Sequence, residues 1–188
     1  MFAEGIERAL RVALSAHDGQ FRKGDGQVPY VVHPIHAAFM LARLGADEET
    51  VEAAILHDVV EDCEGWTLAR VEDEFGARTA RIVADVTEDK SKTWEERKRW
   101  AVEHVPHMSS EAVAVKAADK LHNLTSLLVD LQAAADPADV WKQFRGGRER
   151  TLTMAGELVG ALAGRADPRL VRALEETLAA IVASAGGD

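Results

Sequence analysis

Apolar residues recur at intervals of three and four along almost the whole chain, and no long segment alternates apolar with polar residues. That spacing is typical of helices whose apolar side faces a core. It predicts an all-α protein, a compact helical bundle with about eight to ten helices. The predicted helices cover residues 4–18, 34–44, 48–62, 67–75, 77–86, 93–104, 110–131, 137–163 and 168–184.

Proline and aspartate mark several predicted helix starts. Pro34, Pro137 and Pro168 each suit a first helical turn, where the missing N–H is tolerated. Asp136 and Asp167 stand just before two of these prolines, in positions typical of N-caps.

Glycine and polar residues separate the predicted helices. The longest irregular stretch is 18–32, and shorter loops are predicted at 87–92 and 105–109. Gly146 and Gly147 interrupt the periodic pattern of 137–163 and leave open whether that helix is broken in two.

The 188 residues, 47% of them hydrophobic, predict one domain over 1–188. No apolar stretch approaches the ~20 residues that span a bilayer, and acidic residues occupy the place where a signal peptide needs a basic and then an apolar run. The single cysteine, Cys63, forms no internal disulfide and is interpreted as a small buried residue. We therefore expect a cytoplasmic protein without a membrane partner.

A net charge of −10 argues against binding to a nucleic acid polymer, which needs clustered lysine and arginine. The basic residues are nevertheless bunched, at Arg22-Lys23 and within 90–99. A small anionic ligand therefore remains open, beside the simpler interpretation that these residues are solvated.

Ionisable residues lie among apolar ones in the segment 53–62. His57 and Glu61 are four residues apart, as are Asp58 and Asp62, so all four are expected on one side of a helix. An adjacent histidine and aspartate surrounded by alanine, leucine and valine are costly to bury without a partner. A bound cation is the simplest partner.

Two further segments can complete a metal site. Asp119 and Asn123 lie one turn apart on the predicted helix 110–131. His33, directly before Pro34, is expected at the N-cap of the next helix. Two imidazoles and two carboxylates form a mixed nitrogen and oxygen set that suits Mn²⁺, Fe²⁺ or Zn²⁺.

In order and context these residues resemble the H…HD…D pattern of the HD superfamily of metal-dependent phosphohydrolases. The phrases at 16–23, 29–34, 56–62 and 116–123 resemble the hydrolase domain of RelA/SpoT enzymes and, above all, the stand-alone small alarmone hydrolases. The resemblance covers about residues 6–163, and 168–184 remains as a C-terminal helix. Because the resemblance and this helix account for most of the chain, we expect no second catalytic domain.

The resemblance implies roles for single residues. His33, His57, Asp58 and Asp119 would hold one Mn²⁺ per chain, with another divalent transition metal as an alternative. Glu61 and Asp62 would form an acidic pair that positions or deprotonates the attacking water. The substrate-binding residues would be Arg22, Lys23, Asn123 and Arg145. The implied reaction removes pyrophosphate from the 3′ position of ppGpp or pppGpp, so the implied partner is a small nucleotide.

Other histidines match the family less directly. His17 is expected to act through hydrogen bonds rather than as a ligand. His104 and His107 lie in the part of the sequence where two-metal members of the superfamily carry additional ligands, which leaves a binuclear site as an alternative. The segment around them is expected to be exposed.

Three positions depart from the family pattern. Thr125 stands where an arginine is common, and Thr153 and Met154 stand where aromatic residues are common. These differences leave ppApp, NADPH or a nucleotide monophosphate as alternative substrates, and the oligomeric state open. A non-catalytic nucleotide sensor, and an interaction protein with merely solvated acidic helices, are the alternatives of another class. The retained pair Glu61 and Asp62 argues against the sensor.

Overall fold

The computed structural model describes residues 3–23 and 28–184. The helices are α1 (Glu4–Ala16), α2 (Val32–Leu44), α3 (Glu48–Leu56), α4 (Val59–Asp62), α5 (Leu68–Phe75), α6 (Ala77–Val86), α7 (Trp94–His104), α8 (Ser110–Ala133), α9 (Pro137–Trp141), α10 (Gly147–Ala163) and α11 (Pro168–Ser184), with a 3₁₀ turn at Val105–His107. Extended pairing in the described part is limited to an isolated bridge between Phe21 and Pro29. The all-α prediction is confirmed.

Helix α8 runs through the centre of the bundle. It packs against α2, α3, α6 and α11, while α3 also packs against α1 and α2. The first half of α8 is lined by small buried residues, among them Ala112, Ala117 and Ala118. Small side chains let neighbouring helices approach closely, which brings α2 and α3 near the middle of α8. None of the described helices has the length and apolarity to cross a membrane.

The predicted N-caps at Asp136 and Asp167 are confirmed. Asp136 Oδ1 accepts a hydrogen bond of 2.8 Å from Ala138 N, and Asp167 Oδ1 accepts one of 2.8 Å from Arg169 N. Each bond satisfies a backbone donor that the helix leaves free in its first turn.

The structure corrects the prediction for 34–62 in two places. Helix α2 begins at Val32, so His33 lies inside its first turn and not at the N-cap. The backbone N–H of His33 already donates to Tyr30 O at 2.9 Å, so helical winding starts before Pro34. The predicted helix 48–62 is interrupted at His57 and Asp58, which lie between α3 and α4.

The predicted helix 137–163 is broken at the glycine pair. Helix α9 ends at Trp141 and α10 begins at Gly147, whose φ of 60° is strained for other residues. The predicted loop 105–109 is less exposed to solvent than expected, because Val105 and Met108 are buried. Residues 24–27 of the irregular stretch 18–32 and the Gly-Gly-Asp tail lie outside the described residues.

A buried carboxylate lies where α3 meets α1. Glu52 is 6% exposed and accepts one hydrogen bond of 3.3 Å from the Thr79 hydroxyl. Its Oε1 lies directly against Gly5. A Cβ on residue 5 would lie 1.8 Å from this oxygen, so the contact requires glycine. Burial, which outweighs the bond from Thr79, raises the pKa of Glu52.

We expect Glu52→Gln to raise the melting temperature at pH 7 and not below about pH 4, where the carboxyl is protonated in both states. A carboxyl whose folded-state pKa is raised costs stability as the pH rises through that pKa, and the amide removes this cost. Each kcal/mol regained corresponds to about 2–4 °C in a chain of this length. Thermal melts at both pH values, with the exposed Glu72→Gln as control, measure the difference. A lower melting temperature at pH 7 would contradict this prediction.

Candidate metal centre and active site

Four predicted metal ligands converge in the core. His33 comes from α2 and Asp119 from α8, while His57 and Asp58 stand at the junction of α3 and α4. His33 Nε2 lies 3.2 Å from Asp119 Oδ1 and 3.5 Å from Asp58 Oδ2. His57 Nε2 lies 3.3 Å from the same Asp58 oxygen and 3.9 Å from the same Asp119 oxygen. Two nitrogens and two oxygens therefore face one small volume.

The ring of His57 is oriented by the backbone. Its Nδ1 lies 2.8 Å from Ala54 O, an acceptor, so Nδ1 carries the proton and donates. Its Nε2 then carries a lone pair, and this buried atom has no hydrogen-bond partner. Burial opposes a charge on the ring, but the carboxylates of Asp58 and Asp119 outweigh it and raise the pKa of His57. The point between the four side chains is therefore attractive to positive charge.

The ring of His33 is oriented by another side chain. His33 Nδ1 lies 2.9 Å from His122 Nδ1, one residue before Asn123 on α8. Burial and then the nearby charges of His33 and Arg22 lower the pKa of His122 to about 3. His122 is therefore neutral at physiological pH and has one ring nitrogen with a free lone pair.

Hydrogen bonds hold the two carboxylates in place. Asn123 Nδ2 donates to Asp119 Oδ1 at 2.6 Å, and the Tyr30 hydroxyl donates to Asp58 Oδ2 at 2.8 Å. Burial opposes ionisation of Asp119, but the contact with the His33 imidazole and the positive charge of Lys116 outweigh it and hold the pKa of Asp119 well below the usual range. Burial and the charge of Asp58 raise the pKa of Tyr30, so this hydroxyl remains a donor.

The residues present fit a divalent transition metal. His33, His57 and Asp58 offer ligand atoms that all lie within 4.8 Å of one another, and this is the one such group among the described residues. Asp119 lies at the border of this group, with its Oδ1 3.2 Å from His33 Nε2 and 3.9 Å from His57 Nε2. A cation there would satisfy the buried His57 Nε2 and offset two carboxylate charges.

The acidic pair Glu61 and Asp62 lies on the short helix α4. Glu61 Oε2 accepts a hydrogen bond of 3.1 Å from the backbone N–H of Glu88. Burial, followed by the charges of Glu88 and Asp58, raises the pKa of Glu61 against the effect of that bond. Lys90 contacts the Asp62 carboxylate, and both Lys90 Nζ and Arg97 Nη1 lie 3.9 Å from Glu61 Oε1. The raised pKa makes Glu61 a stronger base than an ordinary carboxylate, which suits it to accept a proton.

The predicted substrate-binding residues line one side of this site. Arg22 Nη2 donates to Asn123 Oδ1 at 2.8 Å, and its guanidinium lies 5.5 Å from the centre of the Tyr30 ring. Lys23 Nζ lies 5.4 Å from the centre of the Phe144 ring. The irregular stretch before α2 is thus brought against α8 and against the turn between α9 and α10.

Arg145 lies exposed in that turn, close enough for its charge to act on Lys23. Partial burial, followed by the charges of Arg145 and Arg22, lowers the pKa of Lys23. Burial is the larger cause of this shift, and the neighbouring charges of Arg145 and Arg22 add to it in the same direction. Such a group of cations is suited to bind phosphate.

Two of the positions that depart from the family pattern lie away from the metal ligands. Thr153 and Met154 line a cavity of about 650 Å³ between α7 and α10, together with Trp94 and Trp100. Trp94 also packs against the turn of Arg145, because a Cβ on Gly146 would lie 2.6 Å from the indole ring. Thr153 and Met154 therefore change the lining of the cavity next to this turn and leave the metal ligands as they are.

Sequence reasoning missed several residues of the site. Tyr30 and His122 fall within the quoted phrases, but single tyrosines and histidines give no signal of their partners. Gln20 Nε2 donates to Asp62 O at 3.1 Å, and the sequence likewise gives no signal of this contact. Lys120 follows Asp119, and burial and then the charge of Lys98 lower its pKa to about 8.

The other histidines lie outside the cluster of ligands. His17 Nδ1 lies 2.8 Å from Gln20 Oε1 and 3.4 Å from the buried Cys63 Sγ, in agreement with an indirect role. His104 stacks on Trp100 and lies 3.5 Å from Asp85. Neither His104 nor His107 joins the group of metal ligands found in the described residues, so the binuclear alternative gains no support.

Comparison with known proteins gives one family match. The model of the HD domain matches residues 9–150, which is most of the chain.

Two curated relatives from different animals carry the same name. A guanosine-3′,5′-bis(diphosphate) 3′-pyrophosphohydrolase of Danio rerio is 47% identical over 120 residues, which are 63% of this chain and 66% of the relative. The protein of the same name from Drosophila melanogaster is 36% identical over 157 residues, which are 82% of this chain and 83% of the relative.

Two solved structures share the fold. One, described as a metazoan ortholog of SpoT that hydrolyses ppGpp, is 32% identical with a TM-score of 0.79 and covers 99% of this chain and 98% of its own. A Listeria monocytogenes protein is 33% identical with a TM-score of 0.68, covering 79% of this chain and 96% of its own.

We expect the purified protein to carry a divalent transition metal and Asp58→Ala to lose it, because the variant removes both a charge and a ligand atom. Metal content by mass spectrometry of protein purified without chelator measures the loss. The exposed Asp73→Ala on α5 is the matched control and is expected to keep its metal. Full metal content in Asp58→Ala would show that the cation binds elsewhere.

Proposed function

The chain belongs to the HD-domain family, and on that premise we propose that it hydrolyses the 3′-pyrophosphate of the guanosine alarmones ppGpp and pppGpp. The products are GDP or GTP and pyrophosphate. The observation that carries the proposal is a group of metal ligands with an acidic pair on the adjoining helix α4 and with Arg22 hydrogen-bonded to Asn123, which itself bonds Asp119. The relatives named for this reaction support the choice of substrate.

We assign the metal ligands to His33, His57, Asp58 and Asp119. Their two nitrogens and two oxygens suit Mn²⁺, one per chain, and another divalent transition metal is compatible with the same set. A cation bound there would draw charge from the phosphoryl oxygens and make a nearby water more acidic.

Glu61 and Asp62 are assigned to the proton transfer. In the hydrolysis a water oxygen joins the phosphorus attached to the 3′ oxygen, and the bond from that phosphorus to the 3′ oxygen breaks. Glu61 takes a proton from the water, since burial raises its pKa and makes it a stronger base. The 3′ oxygen leaves with the bonding electrons and takes up a proton from Glu61 or from solvent, which gives the free 3′ hydroxyl and pyrophosphate. Asp62, held by Lys90 and by Gln20 through its carbonyl, orients the water.

The cations bind the rest of the nucleotide. Arg22 and Asn123 are already joined by a hydrogen bond, so they present a fixed pair of polar groups beside the metal ligands. We assign Arg22 to the base and phosphates, Lys23 and Arg145 to the phosphates, and Asn123 to the ribose side. The whole chain has a net charge of −10, so a local group of cations favours small anions over polymers.

The biological setting is proposed on the same grounds. We propose a single HD-type hydrolase domain over 1–188 that acts on nucleotides in the cytoplasm. A nucleic acid polymer or membrane is not required as a partner, and the chemistry of the site leaves the oligomeric state open.

A turnover screen with Mn²⁺ tests the function. Its substrates are ppGpp, pppGpp, ppApp, NADPH and nucleotide monophosphates, with pyrophosphate and phosphate followed separately. Release of pyrophosphate from ppGpp at the highest kcat/KM is expected. Preference for ppApp, or phosphate release from NADPH or a monophosphate, would replace the substrate but keep the hydrolase. Binding without turnover of any of them would identify a sensor.

We expect Glu61→Gln to lower kcat by about 10²–10⁴-fold with little change in KM, because the amide keeps the shape and cannot accept a proton. The exposed Glu64→Gln, in the segment after α4, is the matched control and is expected to keep its kcat. Near wild-type turnover of Glu61→Gln would transfer the role of base to Asp62.

We expect Arg22→Lys to raise KM for ppGpp about ten-fold, and by more than Lys23→Arg does, with metal content unchanged in both. Lysine keeps the charge but loses the planar group that bonds Asn123 and can stack on a purine, a difference of about 1–2 kcal/mol. Michaelis–Menten curves with ppGpp and with a base-free pyrophosphorylated ribose separate the contributions. An equal rise in KM for both substrates would mean that Arg22 binds phosphate and not the base.

A further inference from the structure

The two histidine ligands differ in what orients them. His57 donates from Nδ1 to the carbonyl of Ala54 in the last turn of α3, so its orientation is fixed by the backbone. His33 has no such carbonyl in contact with Nδ1. Its partner is the side chain of His122, which comes from α8, 89 residues further along the chain.

The contact between the two rings fixes where the protons are. His33 Nε2 faces Asp58 and Asp119, so the lone pair needed for a metal must be on Nε2 and the proton on Nδ1. His33 Nδ1 then donates to His122 Nδ1 at 2.9 Å. His122 must accept with Nδ1 and carry its own proton on Nε2, because two N–H groups cannot share this contact.

His122 is itself held in place. Ser126 Oγ, one turn further along α8, lies 3.5 Å from His122 Nδ1. The ring of His36 meets the His122 ring edge to face, with centres 5.1 Å apart. The acceptor that His33 needs is thus fixed by α8 on one side and by α2 on the other.

We propose that His122 is a positioning residue for the metal, which accepts the Nδ1 proton of His33 and so keeps His33 Nε2 turned toward Asp58 and Asp119 with its lone pair free. The inference rests on the proposed function only in taking these residues as the metal ligands. It assigns His122 no contact with the substrate. Partners of this kind commonly change metal affinity by about 10–100-fold when they are lost.

Metal binding without substrate tests the proposal. The dissociation constants for Mn²⁺ and Co²⁺ are measured by competition with a chelator, for the wild-type chain and for His122→Phe and His122→Asn. Phenylalanine keeps the ring volume and has no acceptor, whereas the amide oxygen of asparagine can take the position of Nδ1. We expect His122→Phe to bind both ions about 10–100-fold more weakly and His122→Asn to bind within a few-fold of wild type. The visible absorption of bound Co²⁺ is expected to change in His122→Phe alone.

Three controls separate positioning from a structural role. The exposed His107→Phe is expected to bind metal as the wild type does. Thermal melts of the metal-free proteins are expected to differ little, and saturating Mn²⁺ is expected to restore most of the kcat of His122→Phe with KM unchanged. If His122→Phe does not fold, the smaller His122→Ala takes its place in the comparison with asparagine.

Equal metal affinity of wild type and His122→Phe would overturn the proposal, as would an equal loss in the asparagine and phenylalanine variants. Either result leaves the hydrolase intact if the wild type still releases pyrophosphate from ppGpp. A wild-type chain that binds neither ion overturns the metal site and this inference together. A chain whose metal affinity depends on His122 as expected but which hydrolyses another nucleotide overturns only the choice of substrate.

Discussion

The burial of two carboxylates beside two imidazoles is the constraint on which the rest of the structure depends. His57 is 5% exposed and His33 is 1% exposed, so their polar atoms cannot be satisfied by bulk water. Such a group is expensive in an apolar interior unless every atom has a partner. Three helices must therefore meet with tight geometry, and the small side chains along α8 make that approach possible.

A change of charge across the site follows from the same constraint. The carboxylates of Asp58 and Asp119 make the group of ligands negative, and their charge raises the pKa of His57 against the effect of burial. Arg22, Lys23 and Arg145 bring positive charge together nearby, and burial, followed by the charges of Arg145 and Arg22, lowers the pKa of Lys23. A metal neutralises the first and a phosphate the second, so a phosphorylated nucleotide bound at both would leave little uncompensated charge.

The helices and the ligands could be predicted from the sequence because both depend on local spacing. Helical periodicity is repeated over many residues, and the pair His57-Asp58 with Asp119 forms a pattern that few other chemistries require. The interruption at His57 and the early start of α2 could not be predicted, since they depend on single hydrogen bonds to Ala54 O and Tyr30 O. The roles of Tyr30 and His122 were invisible for the same reason. Each partner lies far away in the sequence and is identified by distance alone.

The contact between Trp94 and Gly146 has a practical consequence. An indole ring reports on its surroundings through its fluorescence, and this one lies against Gly146, next to Arg145 in the turn. Any ligand that shifts the turn changes the environment of Trp94 without touching it. The chain has four tryptophans, so replacing the other three by phenylalanine isolates this signal. The protein thus contains a built-in optical probe, which can follow ligand arrival in real time and without an attached dye.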